Sequence, residues 1–318
     1  MLDDKRPQPR SGENGSQVKD QAGIPLECQE PQPRGFIRHL SETTSSQLDT
    51  HPTGGFSPSR GPLEALPDYS RKFYERASTI PGFDGQVLII GGTPEEAQAV
   101  RALGAKYVVI VNPELSTPRL IERCRQVNDP RIELVSKLIE DAQLVPQSFD
   151  LILSECAIEH MLDLPRVLKH VADLLKRGGR GLMHGGPVWT ADRGHHVWVK
   201  TADGTRYFFN EKGDAQPIQP WEHLLFADHE LWTRLVERGI PKDHATAIVH
   251  HIYHSHKLNR LSPSTIEQMV LSSPLYCRYF TRHFGNIPDE HTANRIAETY
   301  TRTDLATWAI EFSFERSQ

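Results

Sequence analysis

Apolar and amphipathic segments alternate along the chain between Gln86 and Trp198. Short apolar runs, each long enough for one buried strand, are separated by longer segments whose apolar residues have helical spacing. The runs predict five strands, at residues 87–90, 107–111, 132–135, 149–154 and 181–184. Strands that alternate with helices in this way predict an α/β fold built on a parallel sheet.

The loops that follow these strands form the first candidate site. Right-handed crossovers place the carboxyl ends of parallel strands at one edge of the sheet. The loops at Gly91, Asn112, Leu138, Ser154 and His184 should therefore line one crevice. Crevices in this position bind nucleotides or cofactors.

The segments outside this core differ in composition. Residues 1–61 are rich in Pro, Ser, Gly, Gln and charged residues, so we expect them to form a disordered tail. Residues 62–318 then form the folded domain, which begins with a helix in front of the first strand. The segment 188–259 is too long for a plain loop and predicts a helical insertion after the fifth strand that caps the substrate site. A sixth strand is predicted at 276–284.

Composition and charge narrow the class of protein. The 318 residues carry a net charge of -5 and no basic block, which argues against a nucleic-acid partner or an anionic membrane surface. The four cysteines are far apart and fit neither a metal motif nor a disulfide framework. No apolar run has the length of a signal peptide core or of a membrane span. We therefore expect a soluble, cytoplasmic protein.

One stretch resembles a known family. It begins with the strand from Ser148 to Glu155, continues through Glu159-His160 and Asp163, and ends in the basic-Gly-Gly turn at 176–179. In these residues the chain resembles the class I S-adenosylmethionine-dependent methyltransferases. Weaker similarity covers the first strand, 132–146 and 307–314, and the last of these looks like the final antiparallel strand of that fold. The resemblance implies a Rossmann-like seven-strand sheet with helices on both faces, and S-adenosylmethionine as the cofactor.

The resemblance also implies which residues contact the cofactor. They lie at the strand ends and in the loop after the third strand, and they are Gly91, Gly92, Asn112, Glu114, Leu138, Ile139 and Glu155. The glycine turn keeps one of the family's three glycines in register, with Thr93 and Glu95 at the other two positions. Asn112 stands where the family usually has an acid that binds the ribose hydroxyls. A carboxylate at this position should therefore strengthen the contact with the ribose.

Three histidines are candidates for catalysis. His160 follows the fourth strand, and His195 and His196 follow the fifth, so all three belong to the reactive edge of the sheet. Imidazoles in this position can orient a polar acceptor and take up its proton near neutral pH. In the alternative interpretation, His160 fixes its loop through a backbone hydrogen bond, and His195 and His196 pack the insertion.

A metal site is the other chemistry that the histidines raise. His250 and His254 are four residues apart, so they share one face of a helix. Neither a His-Glu-x-x-His motif nor an evident third ligand accompanies them. We therefore expect no metal.

The sequence leaves two functions of different class. The first is methyl transfer from S-adenosylmethionine to a small polar acceptor that the insertion recognises. The second is a binding partner or scaffold that has kept the fold and lost methyl transfer. The sequence names neither the acceptor nor the oligomeric state, and a homodimer is compatible with it.

Overall fold

The computed structural model describes residues 61–210 and 216–317. Of the predicted tail at 1–61, residues 1–60 lie outside this part of the chain. The described residues cover most of the domain predicted at 62–318.

The strands of the described residues form one large sheet and one small ribbon. Their bounds are β1 Gln86–Ile90, β2 Tyr107–Val111, β3 Ile132–Val135, β4 Phe149–Glu155, β5 Leu175–Gly185, β6 Trp198–Lys200, β7 Arg206–Phe208, β8 Leu275–Phe284 and β9 Thr307–Arg316. The large sheet has the order β3-β2-β1-β4-β5-β9-β8, and β6 pairs with β7. Strands β1 to β5 are parallel, whereas β9 is antiparallel to β5 and β8. The predicted α/β fold with a Rossmann-like seven-strand sheet is confirmed.

Strand β1 is buried on both faces of the sheet. Its residues Val87, Leu88, Ile89 and Ile90 are at most 4% exposed. Successive side chains of a strand point to opposite faces, so Leu88 and Ile90 enter one apolar core while Val87 and Ile89 enter the other. A strand covered on both faces reads as a continuous apolar run, which is why the sequence predicted it well.

Helices supply the cover on the two faces. The helices of the described residues are α1 Asp68–Ala77, α2 Pro94–Ala102, α3 Pro118–Arg125, α4 Leu164–Leu174, α5 Glu222–Leu225, α6 Asp228–Glu237, α7 Lys242–Val249, α8 Pro263–Leu271, α9 Glu290–Ile296 and α10 Arg302–Ala306. Helix α1 packs Phe73 and Tyr74 into the core that contains Val87. Helix α4 packs Val167 and Leu168 into the opposite core. None of these helices has the length and apolar character that crossing a membrane requires.

The start of β5 differs from the prediction. The basic-Gly-Gly segment at 176–179 was expected to end a helix before a strand at 181–184, but α4 ends at Leu174 and β5 already begins at Leu175. Leu175 pairs with Phe149 of β4, and the pairing then shifts register before it continues. Lys176 Nζ lies 2.7 Å from Oδ2 of Asp150, which holds the irregular segment against β4. The glycines therefore form an irregularity inside β5 instead of a loop in front of it.

The segment between β5 and α8 contains the β6-β7 ribbon and helices α5 to α7. A further helical turn follows α7 at His250–His254. The segment has an apolar core of its own, which includes Val197, Leu231, Leu235 and Ile248. Its role as a substrate cap stays a prediction.

Candidate active site

A turn of two glycines joins β1 to α2 at the predicted crevice. Gly91 has a φ of 83°, a left-handed conformation that glycine adopts more easily than other residues. Nδ2 of Asn112, at the end of β2, donates hydrogen bonds to the carbonyl oxygens of Gly91 at 3.1 Å and Gly92 at 3.0 Å. Its Oδ1 accepts a hydrogen bond from the N–H of Glu114 at 2.9 Å. The Asn112 amide therefore fixes the turn, which a carboxylate would not do because it has no donor.

Both glycines are in close contact with other parts of the protein. A Cβ on Gly91 would lie 2.5 Å from the Cβ of Ala157, in the loop after β4. A Cβ on Gly92 would lie 2.5 Å from Cγ2 of Ile89 and 3.0 Å from Oε2 of Glu96. Packing within the protein is therefore enough to account for both glycines. Their contact with a cofactor stays a prediction.

The residues expected on the adenosine side differ in exposure. Glu114 lies half-buried in the helical turn Pro113–Ser116 that follows β2. The Leu138 side chain is 40% exposed, so a ligand can reach it. Ile139 is only 4% exposed and packs in the apolar core, so its side chain is not accessible to a ligand.

Two buried carboxyl groups lie beside the glycine turn. Glu155, at the end of β4, is 8% exposed, and Glu96, in the first turn of α2, is 5% exposed. Burial, and then the charge of Glu96, raises the pKa of Glu155 to about 8. Burial raises the pKa of Glu96 to about 7, against the opposing hydrogen bonds of Thr93. Neighbouring acids with pKa values near neutrality mark a candidate functional site.

Glu96 is a residue that the sequence hardly reveals. Its only signal is the spacing from Thr93 to Glu96, which is that of a capping box at the start of a helix. In the structure Oε2 of Glu96 accepts a hydrogen bond from the N–H of Thr93 at 2.5 Å. The cap thereby turns the carboxyl group inward, toward the end of β1.

Helix α1 places polar side chains over these carboxyl groups. Ser70 and Tyr74 are fully buried, and the Ser70 hydroxyl lies close enough to Glu155 to lower its pKa slightly against the larger effect of burial. Burial, and then Glu96 and Glu155, raises the pKa of the Tyr74 phenol. Within residues 61–210 and 216–317, the Tyr74 hydroxyl and Oε2 of Glu155 have no hydrogen-bond partner. Buried polar atoms are normally paired, so these two mark a place that suits a polar ligand.

Two of the three candidate histidines meet at the end of this sheet edge. The rings of His160 and His196 are in edge-to-face contact, with centroids 5.5 Å apart. Nδ1 of His160 lies 2.7 Å from the carbonyl oxygen of Lys257, and Nε2 of His196 lies 2.5 Å from that of Pro187. The expected backbone hydrogen bond of His160 is therefore present.

The third candidate, His195, makes its ring contact with a different histidine. Its Nδ1 accepts a hydrogen bond from the N–H of Val197 at 3.1 Å, and its ring contacts that of His223 at a centroid distance of 5.4 Å. His223 in turn hydrogen-bonds to the carbonyl oxygen of Trp189 at 2.8 Å. His195 thus belongs to the interior of the insertion.

Burial weakens the three histidines as proton acceptors. His195 and His196 are 0% and 3% exposed. Burial, and then His223, lowers the pKa of His195 well below its usual value, while burial, and then His160, lowers the pKa of His196 to about 3. Burial also lowers the pKa of His160. The expectation that they take up a proton near neutral pH disagrees with these surroundings, although a neutral imidazole still offers a lone pair.

The end of the insertion is tied to the loop after β4. The N–H of Asn259 donates to the carbonyl oxygen of Glu159 at 2.9 Å, and its Nδ2 donates to that of Ile158 at 2.7 Å. Glu159 is 5% exposed, and burial raises the pKa of its carboxyl group to about 8. No signal in the sequence pointed to Asn259.

A narrow gap lies between this loop, the end of β5 and the insertion. It is lined by Ile158, Glu159, Gly185, Val188, Trp189 and Asn259, among others. The gap is too narrow to hold a water molecule. A ligand therefore reaches this part of the edge only if the insertion moves.

Two groups of side chains in the described chain have the donors and the proximity for a metal ion. One consists of Glu155, Cys156 and His184, the other of Glu159, His160 and His196, and in each the donor atoms lie within 4.8 Å of one another. The pair His250 and His254 belongs to neither group. Both are exposed, and Nε2 of His254 lies 3.0 Å from Oδ2 of Asp228.

Residues 91–183 match the model of a protein family described as a methyltransferase domain. The match begins at the glycine turn and ends within β5, so it includes Asn112, Glu155 and His160. The resemblance inferred from the sequence is confirmed for this stretch. No curated protein matches the sequence.

Solved structures of methyltransferases are similar to the chain. An S-adenosylmethionine-dependent methyltransferase from Mesorhizobium loti is 15% identical over 80% of this chain and 100% of that chain, with a TM-score of 0.47. Geranyl diphosphate C-methyltransferase from Streptomyces coelicolor is 11% identical over 82% of this chain and 84% of that chain, with a TM-score of 0.44. Phosphoethanolamine N-methyltransferase 2 from Haemonchus contortus, in complex with S-adenosyl-L-methionine, is 12% identical over 78% of this chain and 52% of that chain, with a TM-score of 0.45.

Proposed function

We propose that this protein transfers a methyl group from S-adenosylmethionine to a small polar acceptor. The observation that carries the proposal is the methyltransferase-domain match over residues 91–183. The sheet order supports it, because β9 is antiparallel and lies between β5 and β8, in the part of the chain where the resemblance predicted the final antiparallel strand.

The residues beside the glycine turn fit the charged half of this cofactor. S-adenosylmethionine carries a cationic sulfonium and a cationic ammonium group. Glu155 and Glu96 supply buried carboxyl groups, and Oε2 of Glu155 and the Tyr74 hydroxyl are polar atoms without a hydrogen-bond partner in the described chain. A cation near these carboxyl groups favours their ionised form. Glu155 is therefore our proposed contact on this side of the cofactor, and we place it near the sulfonium.

On the adenosine side, we assign the ribose hydroxyls to Glu114. Asn112 was the first candidate, but its amide already holds the glycine turn. Leu138 offers exposed apolar surface for the adenine ring. In this proposal the cofactor contacts only the backbone of Gly91, Gly92 and Ile139. The two glycines have no side chain, and the side chain of Ile139 is buried.

The acceptor is proposed to bind between the loop after β4 and the insertion. His160 and His196 lie there as neutral imidazoles, and Glu159 adds a carboxyl group, so the surroundings suit a polar molecule. His195 faces His223, and we assign it a supporting role. Because the gap is closed, binding of an acceptor requires residues 257–259 to move away from the loop.

Calorimetric titration of the full-length protein with S-adenosylmethionine and S-adenosylhomocysteine tests the proposal. The first ligand has a positively charged sulfonium where the second has a neutral thioether, so a nearby carboxylate distinguishes them. We expect both to bind. Glu155→Gln should weaken binding of S-adenosylmethionine about tenfold, which is the effect expected for the loss of one charge-assisted contact. Binding of S-adenosylhomocysteine should weaken by less.

The matched control is Glu133→Gln, on the exposed side of β3, which should leave both affinities unchanged. Equal losses for the two ligands in Glu155→Gln would contradict the placement of Glu155 near the sulfonium. Failure of both ligands to bind at millimolar concentration would contradict the proposed function itself.

The second candidate function is a scaffold that has lost methyl transfer. The specific observation in its favour is that Ala157 fills the space beside Gly91, while Asn112 is used within the protein. The glycine turn is then fully accounted for without a ligand. The same titration decides between the candidates, because only the scaffold is compatible with an absence of cofactor binding.

Two further expectations from the sequence stay predictions. They are the cytoplasmic location and the homodimer.

A further inference from the structure

Beyond methyl transfer, we propose that Glu159, His160 and His196 bind a divalent transition-metal ion, for which zinc best matches the donor atoms. One carboxylate oxygen and one nitrogen of each imidazole lie within 4.8 Å of one another. Neighbouring donor atoms on a four-coordinate zinc ion are about 3.3 Å apart, given its tetrahedral geometry and bond lengths. Side-chain adjustments of about 1 Å would therefore close the group around an ion.

Both histidines are held as metal ligands usually are. Nδ1 of His160 is hydrogen-bonded to the carbonyl oxygen of Lys257, and Nε2 of His196 is hydrogen-bonded to that of Pro187. A carbonyl oxygen only accepts, so each of these nitrogens carries the proton of a neutral imidazole. The lone pairs are then on Nε2 of His160 and Nδ1 of His196. Metal-binding histidines typically donate their other N–H to a carbonyl group, which fixes the tautomer and the ring orientation.

Glu159 would supply the negative charge once the ion has displaced the carboxyl proton. It is 5% exposed, and its Oε2 has no hydrogen-bond partner in the described chain. A buried carboxylate is costly unless a cation or donors compensate it. Gly185 makes room for the group, since a Cβ there would lie 2.5 Å from Oε2. Backbone hydrogen bonds from Glu159 and Gly186 compensate part of the charge, and a cation at Oε2 would compensate the rest.

The backbone of His196 adds an independent observation. It has a φ of 45°, a left-handed conformation that is uncommon for residues other than glycine. The Phe209 ring stacks on the imidazole with centroids 5.0 Å apart, which restricts its rotation. Strained residues that are held in place by their surroundings occur mostly at functional sites. The strain and the stacking both serve to direct this imidazole toward His160 and Glu159.

The donor set indicates the class of ion. Two imidazoles and one carboxylate are the ligands of many catalytic zinc sites and of non-haem iron(II) sites. Three protein ligands leave a coordination position for water or for an oxygen of a substrate. Since Glu159 and His160 follow β4 whereas His196 belongs to the insertion, the ion would also join these two segments.

Cations lie near both candidate groups, and each also interacts with a carboxylate. The Arg76 guanidinium lies close to both Glu155 and His184 of the other group, and it is ion-paired with Glu311. Lys257 lies near His160, but its ammonium also interacts with Glu114. Removing that ammonium should therefore strengthen metal binding.

Titration of the metal-free full-length protein with zinc, in competition with a chromophoric chelator, tests the proposal. We expect one ion per chain. Glu159→Gln and His196→Gln preserve size and should weaken binding at least about tenfold, the effect expected for loss of a ligand or its support. Lys257→Met should tighten it several-fold. In the double variant His250→Ala/His254→Ala, which removes exposed histidines, affinity and stoichiometry should not change.

Two measurements keep the result independent of folding defects and of methyl transfer. Circular dichroism identifies variants that remain folded, and cobalt(II) in place of zinc should give visible absorption bands in the parent that Glu159→Gln loses. Unchanged zinc affinity in folded Glu159→Gln and His196→Gln would overturn the proposal. Loss of the ion in His250→Ala/His254→Ala would overturn it as well, since the exposed pair would then be the site. Absence of any binding by zinc, cobalt(II), manganese(II) or iron(II) would do the same.

Discussion

The substitution Asn112→Asp replaces one NH2 group by an oxygen and should destabilise the protein. Nδ2 of Asn112 donates to the carbonyl oxygens of Gly91 and Gly92, at 3.1 and 3.0 Å, and the side chain is 5% exposed. The introduced carboxylate would keep the bond from the N–H of Glu114 but lose both donated bonds. It would also hold a negative oxygen against two carbonyl oxygens.

The magnitude follows from the number of partners left unpaired. Removing the donor from a buried acceptor costs about 1–3 kcal/mol for each bond. Two such losses, with added repulsion, give an expected decrease of about 3–5 kcal/mol in the free energy of unfolding at pH 7.5. The total free energy of unfolding of a typical domain is about 5–15 kcal/mol, so a decrease of this size is large enough to measure.

The pH dependence gives this prediction a second signature. Repulsion and burial should raise the pKa of the introduced carboxyl group above its unfolded value of about 3.9. Below that value it is protonated in both states and can donate one hydrogen bond to a glycine carbonyl. As the pH rises through the higher folded-state pKa, the folded state loses this proton at a cost. The deficit relative to the parent should therefore grow with pH.

Urea-induced unfolding, followed by tryptophan fluorescence at pH 5 and pH 7.5, measures both quantities. Glu133→Gln, on the exposed side of β3, is the control and should stay close to the parent. A calorimetric titration of Asn112→Asp with S-adenosylmethionine completes the experiment, since a loosened turn should bind no better. Stability within about 1 kcal/mol of the parent at pH 7.5, which is below the cost of one unpaired acceptor, would refute this reasoning. Tighter binding of the cofactor would refute it as well.

Two further predictions concern the free energy of unfolding, the first for a substitution at Gly91 and the second for its dependence on pH. Gly91→Ala should lower the urea midpoint because its Cβ would meet Ala157 and its φ is left-handed; Gly91→Ala/Ala157→Gly should recover part of the loss, and no recovery would disprove the collision. The free energy of unfolding should peak near pH 6.5. At higher pH it should fall because the carboxyls of Glu155, Glu159 and Glu96, with pKa values raised to about 8, about 8 and about 7, hold protons that the unfolded chain releases. At lower pH it should also fall, because the histidines whose pKa values are lowered by burial outnumber these carboxyls and do not take up the protons that the unfolded chain binds; they include His184, His195, His196, His223 and His251. Glu155→Gln should flatten the alkaline side in urea titrations from pH 4.5 to 8.5, and an unchanged slope would exclude this carboxyl as its source.

The strands of the sheet could be predicted from the sequence because a strand that is buried on both faces has a continuous run of apolar residues. β1 and β2 are continuous apolar runs, and their observed bounds agree with the predicted ones to within one residue. The start of β5 could not be predicted, since Lys176 and the following glycines have the composition of a turn. Only the pairing of Leu175 with Phe149 places that segment in the sheet.

The candidate site was less predictable because it depends on where side-chain atoms point. The polar residue at the end of β2 indicates a contact with the ribose. The sequence does not show that the Asn112 amide instead donates hydrogen bonds to two glycine carbonyls. His160 and His196 were both named, yet their proximity depends on how the insertion folds back. Glu96 was hidden for a similar reason, because its capping role is local while its burial next to Glu155 is tertiary.

The hydrogen bonds between the insertion and the loop after β4 have a consequence for the rate of the proposed reaction. Four hydrogen bonds hold Asn259 and the Lys257 carbonyl to Ile158, Glu159, His160 and Met161. At about 1 kcal/mol each, breaking them leaves an open form populated in roughly one molecule in 900. An acceptor that binds only this form would be captured with an apparent affinity about 1,000-fold below its intrinsic one. Once these hydrogen bonds have formed again, departure of the product has to wait for the same rare opening, so the frequency of opening, and not the bond-making step, would set the pace of turnover.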